Sequence, residues 1–504
     1  MKKILLVLFA CSTVIMAAAQ ANFDMKKIPT TKDGEQFSYF FKTSPDEFRS
    51  VYIIPDNNPF STGNKGVYIR NFDSEITKSD LVNLPDAAPG YLAVYSFGDY
   101  NVLAGSMDES PLSFAKDNKL VITDDAGKVL VEQTYKLHGK KHTFTGMPAI
   151  RISEDKKYML VVNIEVRPPE KPRLYDDPAT IFVDVYDSKL KKVREDSVQR
   201  EDVFGSITFL NDVDYAYVNG TVVMIASQPT AITKKTKGTI FAAASDKPGS
   251  WKLILSEEYS KGTFNYTWCI SNKGMLCISG MQSQGGFVGS GKSSIFFISK
   301  DLTSGGSATV KSYSIDKTFS EKFPDVDKKS IKFITSPSKL VKLDDGALYV
   351  CEYRLSVSSS QSSATSYFMQ TMGLIKFDFD GEIQWANVIK KDVCSKKYVS
   401  ELFCKAFGDG TSTHLFYYDN PANVVSAKMV RVKVVNPDKL CLVHAVVDAD
   451  GKITKKIIYK VGSQLALVDL SQTKRIEDGN SFIFVGTGLK IGNKVPYFGI
   501  LNLE

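Results

Sequence analysis

Met372–Lys391, MGLIKFDFDGEIQWANVIKK, decides the fold. Leu374, Ile375, Phe377 and Phe379 form an apolar run rich in strand formers. Asp380-Gly381 interrupts it, and an alternating run (Ile383, Trp385, Asn387, Ile389) follows. Asp-Gly between two such runs predicts a tight hairpin with both central residues at positive φ, because that turn matches the twist of the flanking strands.

Looser copies recur along the whole chain. They start at Val67 (VYIRNFDSEITKSDLVNL), Leu120 (LVITDDAGKVLVEQTYKL), Ile181 (IFVDVYDSKLKKVREDSV), Thr239 (TIFAAASDKPGSWKLILSEEY), Ile295 (IFFISKDLTSGGSATVKSYSI) and Cys441 (CLVHAVVDADGKITKKIIYK). Their turns fall near Asp73, Asp125, Asp187, Lys247, Asp301, Asp380 and Asp450, at separations of 52 to 79 residues. Another strand pair precedes most of them, as in AYVNGTVVMIAS and KLVKLDDGALYVCEY. Each repeat is therefore four antiparallel strands, and no amphipathic helix survives the Gly, Pro, Asn and Asp residues.

Four-stranded units at this spacing predict an all-β fold, a single β-propeller. Solenoid coils are shorter, and paired sandwiches would not repeat one hairpin throughout. Counting turns gives eight blades, with seven the alternative if the N-terminal repeat is incomplete. The last repeat, VPYFGILNLE from Val495, has no second half. The segment Asn22 to Ile28 is expected to supply the missing outer strand, which removes an exposed sheet edge.

Residues 1–21 read as a secretory signal peptide: Lys2-Lys3, an apolar run from Ile4 to Met16, then small residues through Ala21. Residues 22–504 form the propeller. A lipoprotein reading of Cys11 is disfavoured, since the apolar run continues past it. No later run approaches the ~20 apolar residues of a membrane helix. The expected location is periplasm, outer-membrane surface or extracellular space. Loss of Lys2 and Lys3 takes the net charge from +7 to +5, too weak a basic balance for a nucleic-acid binder. Cys269, Cys277, Cys351, Cys394, Cys404 and Cys441 remain in the exported chain. An oxidising compartment permits disulfides, with Cys269–Cys277 and Cys394–Cys404 the nearest pairs. Buried free thiols on apolar strands are the competing reading.

Between the second and third strands of each repeat the connections are long: residues 55–66, 167–178, 228–238, 281–293 and 356–370. These share one end of the sheets with the blade-to-blade loops, and long loops on a rigid scaffold are where binding resides. Arg173, Tyr175, Tyr367 and Phe368 are the expected partner-contacting residues, because aromatics and Arg dominate interface energy.

Several motifs weigh less. Gly286–Ser293 spells a phosphate loop but runs into a strand instead of a helix, so nucleotide binding is not expected. His138-Gly-Lys-Lys-His142 has zinc spacing without a helix or third ligand, and reads as a blade-connecting loop. His414 and His444 read as packing residues. Asp-rich turns at Asp378–Gly381 and Asp448–Gly451 are weak calcium candidates; aspartate bonding its own backbone is the simpler reading.

SDKPGSW (Ser245 to Trp251) resembles the Asp-box turn of sialidase-type propellers, and DFDGEIQW (Asp378 to Trp385) resembles the turn-plus-Trp of quinoprotein-type propellers. More broadly the chain is similar to exported β-propellers of Gram-negative envelopes. The resemblance implies that Trp251 and Trp385 pack between blades, and it transfers no catalytic residue. The sequence thus points to a non-catalytic propeller that binds an envelope protein or glycan and needs no cofactor. A glycoside hydrolase or polysaccharide lyase on the same scaffold is the alternative, and a structural part of an envelope or secretion assembly is the third reading.

Overall fold

A computed structural model of the chain describes residues 23–29, 34–55, 64–107, 117–139, 142–167, 179–204, 211–228, 237–260, 263–271, 273–283, 293–303, 306–323, 339–358, 365–395, 403–425, 430–433, 439–464, 466–488 and 495–503. Its strands make eight sheets, each with a four-stranded antiparallel core; seven take these strands in chain order, and the eighth joins three C-terminal strands to Lys26–Lys27. The fold is an eight-bladed β-propeller, with short helices of six residues or fewer among the described residues.

The chain divides into two compact units. Blades I to IV belong to the unit built on residues 29–262; blade I comprises Gln36–Thr43, Phe48–Pro55, Asn64–Phe72 and Ser79–Val82, and blade IV comprises Asn211–Val218, Thr221–Gln228, Lys237–Ser245 and Lys252–Ser260. Blades V to VIII belong to the unit built on 263–504 with the N-terminal segment, and blade V comprises Thr263–Ile270, Met275–Ser283, Ser293–Asp301 and Thr309–Ser314. Blade II comprises Tyr91–Phe97, Tyr100–Ser106, Asn118–Thr123 and Val129–Tyr135. Blade III comprises Ala149–Ile152, Tyr158–Val166, Ala179–Asp187 and Lys192–Gln199, with Thr143–Phe144 added beside the second strand. In the other unit blade VI comprises Lys339–Leu343, Gly346–Ser358, Thr365–Asp378 and Ile383–Ser395. Blade VII comprises Lys405–Gly408, Thr413–Asp419, Cys441–Val447 and Ile453–Lys460. Blade VIII comprises Ala466–Arg475, Ser481–Gly488 and Pro496–Asn502.

Alternation along the middle strands explains their near-continuous apolar sequence, because both faces are buried. In Gly346–Ser358, Tyr349 and Cys351 pack toward blade V with Phe297, while Leu348 and Val350 pack toward blade VII with Leu415 and Tyr417. Each such side chain contributes roughly 1.5–3 kcal/mol on burial.

The opening hairpin forms as expected, pairing Lys376 with Trp385 and Leu374 with Asn387. Its turn differs from the expected one: only Gly381 takes positive φ, at 79°. Gly381 N–H donates to the Asp378 carbonyl at 3.1 Å, and the register shifts at Lys376/Phe377. The chain closes through a one-residue bulge, and Asp378 stabilises it by accepting the Glu382 N–H at 2.9 Å. Asp124, Asp187 and Asp448 cap the equivalent turns in the same way, each carboxylate accepting two backbone N–H groups.

Blade VIII takes its outer strand from the N-terminus, as the sequence implies. Lys26 pairs with Phe498 and Lys27 with Tyr497. Phe23 lies edge-on to Phe484 and Tyr459, and a Cβ on Gly499 would stand 2.6 Å from the Phe23 ring.

Candidate functional site

The interface between blades II and III changes character along its length. On Tyr158–Val166, Met159 and Val161 face an apolar core shared with Leu120 and Ile122 of blade II. The same face of the strand continues as Asn163, Glu165 and then Arg167. Opposite it, blade II continues as Asn118, whose Nδ2 donates to Asn163 Oδ1 at 2.9 Å and to the Gly146 carbonyl at 2.8 Å. A dry seam therefore becomes polar at the end where the strand runs toward residues 167–178.

Glu165 is the centre of this polar end. It is 1% exposed and accepts three bonds of 2.7 Å: from the His138 backbone N–H, from His138 Nδ1 and from His142 Nδ1. Burial pushes its pKa up, but the bonds from His138 and His142 outweigh burial and hold the carboxyl below its ordinary range. An ionised carboxylate only accepts, so both imidazoles donate through Nδ1, which leaves Nε2 as the acceptor nitrogen of each neutral ring. The His138 ring lies parallel to Phe182, with centroids 5.3 Å apart, and its side chain is 65% exposed. The loop carrying it is held by Leu137 N–H on Asp117 Oδ1 at 3.1 Å.

Around this core, Arg167 Nη2 donates to Gln199 Oε1 at 2.7 Å, and Thr180 Oγ1 reaches the same oxygen at 3.2 Å. Asn163 Nδ2 and Arg167 Nε are covered donors with no acceptor among the described residues. Deeper in the seam, Asp184 Oδ2 accepts the Tyr135 hydroxyl at 2.7 Å, and burial raises the Asp184 pKa.

His138 and His142, expected to be loop residues, are thus joined on one buried carboxylate. No group of three His, Cys, Asp or Glu among the described residues is placed to hold a metal ion. Glu165 and Asn163 escaped the sequence reading. Their signal was present in YMLVVNIEVR, where polar residues replace apolar ones at alternate positions of a strand buried on both faces.

Of the expected contact residues, Arg173 and Tyr175 lie outside the described residues. Tyr367 and Phe368 sit half-buried on Thr365–Asp378, and Phe368 is covered by Arg431, whose guanidinium carbon is 4.8 Å from the ring centroid. Arg431 is in turn paired with Asp392 at 3.0 Å. Phe368 therefore anchors a neighbouring segment. The phosphate-loop match falls largely outside the described residues, and the chain after it is a strand, Ser293–Asp301. His414 and His444 are packing residues: their nearest ring nitrogens are 3.0 Å apart and His444 stacks on Phe416. All six cysteines in the described region are free thiols, with Cys269 directly opposite Cys277. Both tryptophans of the turn motifs bond across a blade boundary: Trp251 to Asp196 Oδ2 at 3.0 Å, and Trp385 to the Ala449 carbonyl at 2.8 Å.

No family model matches this sequence, and no curated protein matches it. Among solved structures, a polysaccharide lyase is similar over 96% of this chain and 98% of its own, at 11% identity and TM-score 0.44. The β-propeller domain of the trilobed protease from Pyrococcus furiosus is similar over 84% of this chain and 98% of that one, at 10% identity and TM-score 0.34. An α-L-arabinanase from Penicillium chrysogenum is similar over 70% of this chain and 92% of that one, at 12% identity and TM-score 0.30. Likenesses this distant bear on no functional question.

Proposed function

We propose that the protein is an exported glycan-binding propeller that engages an envelope saccharide at the polar end of the blade II–III seam. The observation that supports this most is the exposed His138 ring, stacked on Phe182 and fixed through Nδ1 by a buried carboxylate. A saccharide offers flat C–H faces and pairs of hydroxyls. His138 presents a rigid plane and one acceptor nitrogen to such a group, and its orientation is fixed before binding, which lowers the entropic cost. Between the two ligand classes expected from the sequence, this small cluster of polar groups beside an exposed ring favours a glycan over a protein. Export rests on residues 1–21, and a cofactor has no part in this reading.

A second reading, catalysis on the same glycan, is favoured by one feature. A histidine whose Nδ1–H bonds a carboxylate has the form of a general base. A two-carboxylate hydrolase is disfavoured within this seam. Glu165 and Asp184 face the same side but pair with Thr180 and Val161, four residues apart on the strand, or about 13 Å at ~3.3 Å per residue. Glycosidase carboxyl pairs stand about 5–9.5 Å apart.

The test is an array of bacterial envelope polysaccharides and oligosaccharides probed with residues 22–504, followed by calorimetry on any binder. His138→Ala is expected to weaken binding at least about tenfold. Equal binding by wild type and variant would overturn the glycan reading. New reducing ends or a new conjugated double bond in the bound glycan would replace binding by catalysis.

A further inference from the structure

The polar end of the blade II–III seam holds more donors than its own acceptors take up. Both Glu165 oxygens are met by His138 and His142, and Asn163 Oδ1 accepts from Asn118 at 2.9 Å. Gln199 Oε1 accepts from Arg167 at 2.7 Å and from Thr180 at 3.2 Å. Asn163 Nδ2 and Arg167 Nε are left without an acceptor among the described residues, and Asn163 is 2% exposed. A covered donor without an acceptor has given up its hydration for nothing, so two of them in one seam mark a site short of acceptors.

Arg167 adds a charge to this surplus. Its guanidinium bonds the neutral Gln199 amide, and no carboxylate among the described residues pairs with it. The other five described arginines of this unit each stand 2.5 to 3.6 Å from a carboxylate: Arg49, Arg70, Arg151, Arg194 and Arg200. Arg167 is thus the exception among them, and it is half-buried, so its charge is only partly met by solvent.

The neighbouring groups narrow what this charge can take. Glu165 is turned inward, 1% exposed and covered by its three donated bonds, which limits its repulsion of an anion. His138 presents Nε2, an acceptor suited to a hydroxyl. Arg167 follows Glu165 by two residues, about 7 Å along the chain at ~3.3 Å per residue. A ligand that complements both ends offers hydroxyl hydrogens to His138 and an acceptor-only, negatively charged group to Arg167. An acidic sugar carries both within one or two residues, and the guanidinium fork matches planar carboxylates and other oxyanions.

Building on the glycan-binding reading, on which it depends, we propose that the seam selects an acidic saccharide and that Arg167 holds its oxyanion, a uronic-acid carboxylate or a sulfate ester. Arg167 is then the residue that sets the charge class of the glycan, while His138 meets the sugar ring.

The test is calorimetric titration of residues 22–504 with four chondroitin tetrasaccharides: unsulfated, 4-sulfated, and the carboxyl-reduced form of each. The reduced unsulfated form is neutral and is expected to bind at least about tenfold more weakly than the best charged form. Tighter binding of the unsulfated acid than of the neutral form identifies a carboxylate; tighter binding of the reduced 4-sulfated form identifies a sulfate ester. Arg167→Gln should lower the charged-to-neutral ratio about tenfold, and Arg167→Lys, which keeps the charge without the fork, should restore part of it. An arginine that merely straps its strand to Gln199 would change the melting temperature in Arg167→Gln and leave the ratio alone. Equal binding of all four forms by the unmutated protein, or a ratio unchanged in Arg167→Gln, would overturn the role of Arg167 and leave glycan binding standing. The unmutated protein alone decides the first outcome, so variants that fail to fold do not protect the proposal. Where none of the four binds, the envelope glycan array decides: acidic binders support the assignment, neutral binders alone overturn it, and an array without binders overturns glycan binding as well.

Discussion

His138 Nδ1 stands 2.7 Å from Glu165 Oε2 although the carboxylate is almost wholly buried and the imidazole largely exposed. The pair fixes which nitrogen of the ring meets solvent, and His142 repeats the arrangement on the other carboxylate oxygen.

Removing the carboxylate should release both rings. Glu165→Ala is expected to shift His138 and His142 from the Nδ1–H tautomer toward the ordinary Nε2–H form, read by nitrogen NMR at neutral to alkaline pH. It should also cost about 2 kcal/mol, the usual loss for bonds to a buried charge. Because the folded-state pKa of Glu165 is depressed, its contribution is present above the unfolded carboxyl's value near 4.5 and disappears as pH falls. The variant should therefore lose less stability on acidification than wild type. Unchanged tautomers would show that the carboxylate does not orient the rings.

His444 gives a second acid-sensitive point. Burial, with the positive fields of His414 and Lys456, pushes it down to about 4 from 6.5. The unfolded chain therefore binds this proton first, so stability is complete above about pH 6.5 and drains away down to about pH 4. At 1.36 kcal/mol per unit the span is roughly 3 kcal/mol. Urea unfolding across this range should steepen less in His444→Phe, which keeps a ring against Phe416 and carries no proton. A slope equal to wild type would rule His444 out as its source.

Gly451 has φ +83°, and a Cβ there would lie 2.7 Å from the Trp385 ring of the neighbouring blade. Gly451→Ala meets both backbone strain and the indole, and about 2 kcal/mol or more should be lost. Trp385→Phe, which removes the bond to the Ala449 carbonyl and part of the ring contact, should cost about 1–2 kcal/mol. Chemical denaturation separates the two, and a smaller loss for the glycine variant would mean that the blade contact yields easily.

Lys391 and Glu352 form an ion pair in which both side chains are nearly solvent-free, beneath the Tyr417 ring. Lys391→Met strands a buried carboxylate and should cost about 3–5 kcal/mol. Replacing both, with Glu352→Leu added, should recover most of that loss. A double variant as unstable as the single one would show that the pair stabilises more than it costs to desolvate.

The sequence determined the blades. Turn chemistry is local: an aspartate such as Asp378 or Asp448 bonds backbone groups two to four residues away, and Gly381 or Gly451 supplies the one residue at positive φ. Strand alternation is local too, so the repeat, its spacing and the N-terminal strand of blade VIII were all readable in one dimension. The turn type was misjudged because Asp-Gly suits both the two-residue loop and the bulged one, and the choice lies in how the flanking strands pair. Tertiary structure alone decided the sites. Glu165 meets His138 across 27 positions, and Lys391 meets Glu352 from two strands further along the chain, 39 positions on. Such meetings depend on which face of a strand abuts which neighbour, and on burial that changes the strength of a charge. A linear pattern records neither until the sheets are packed.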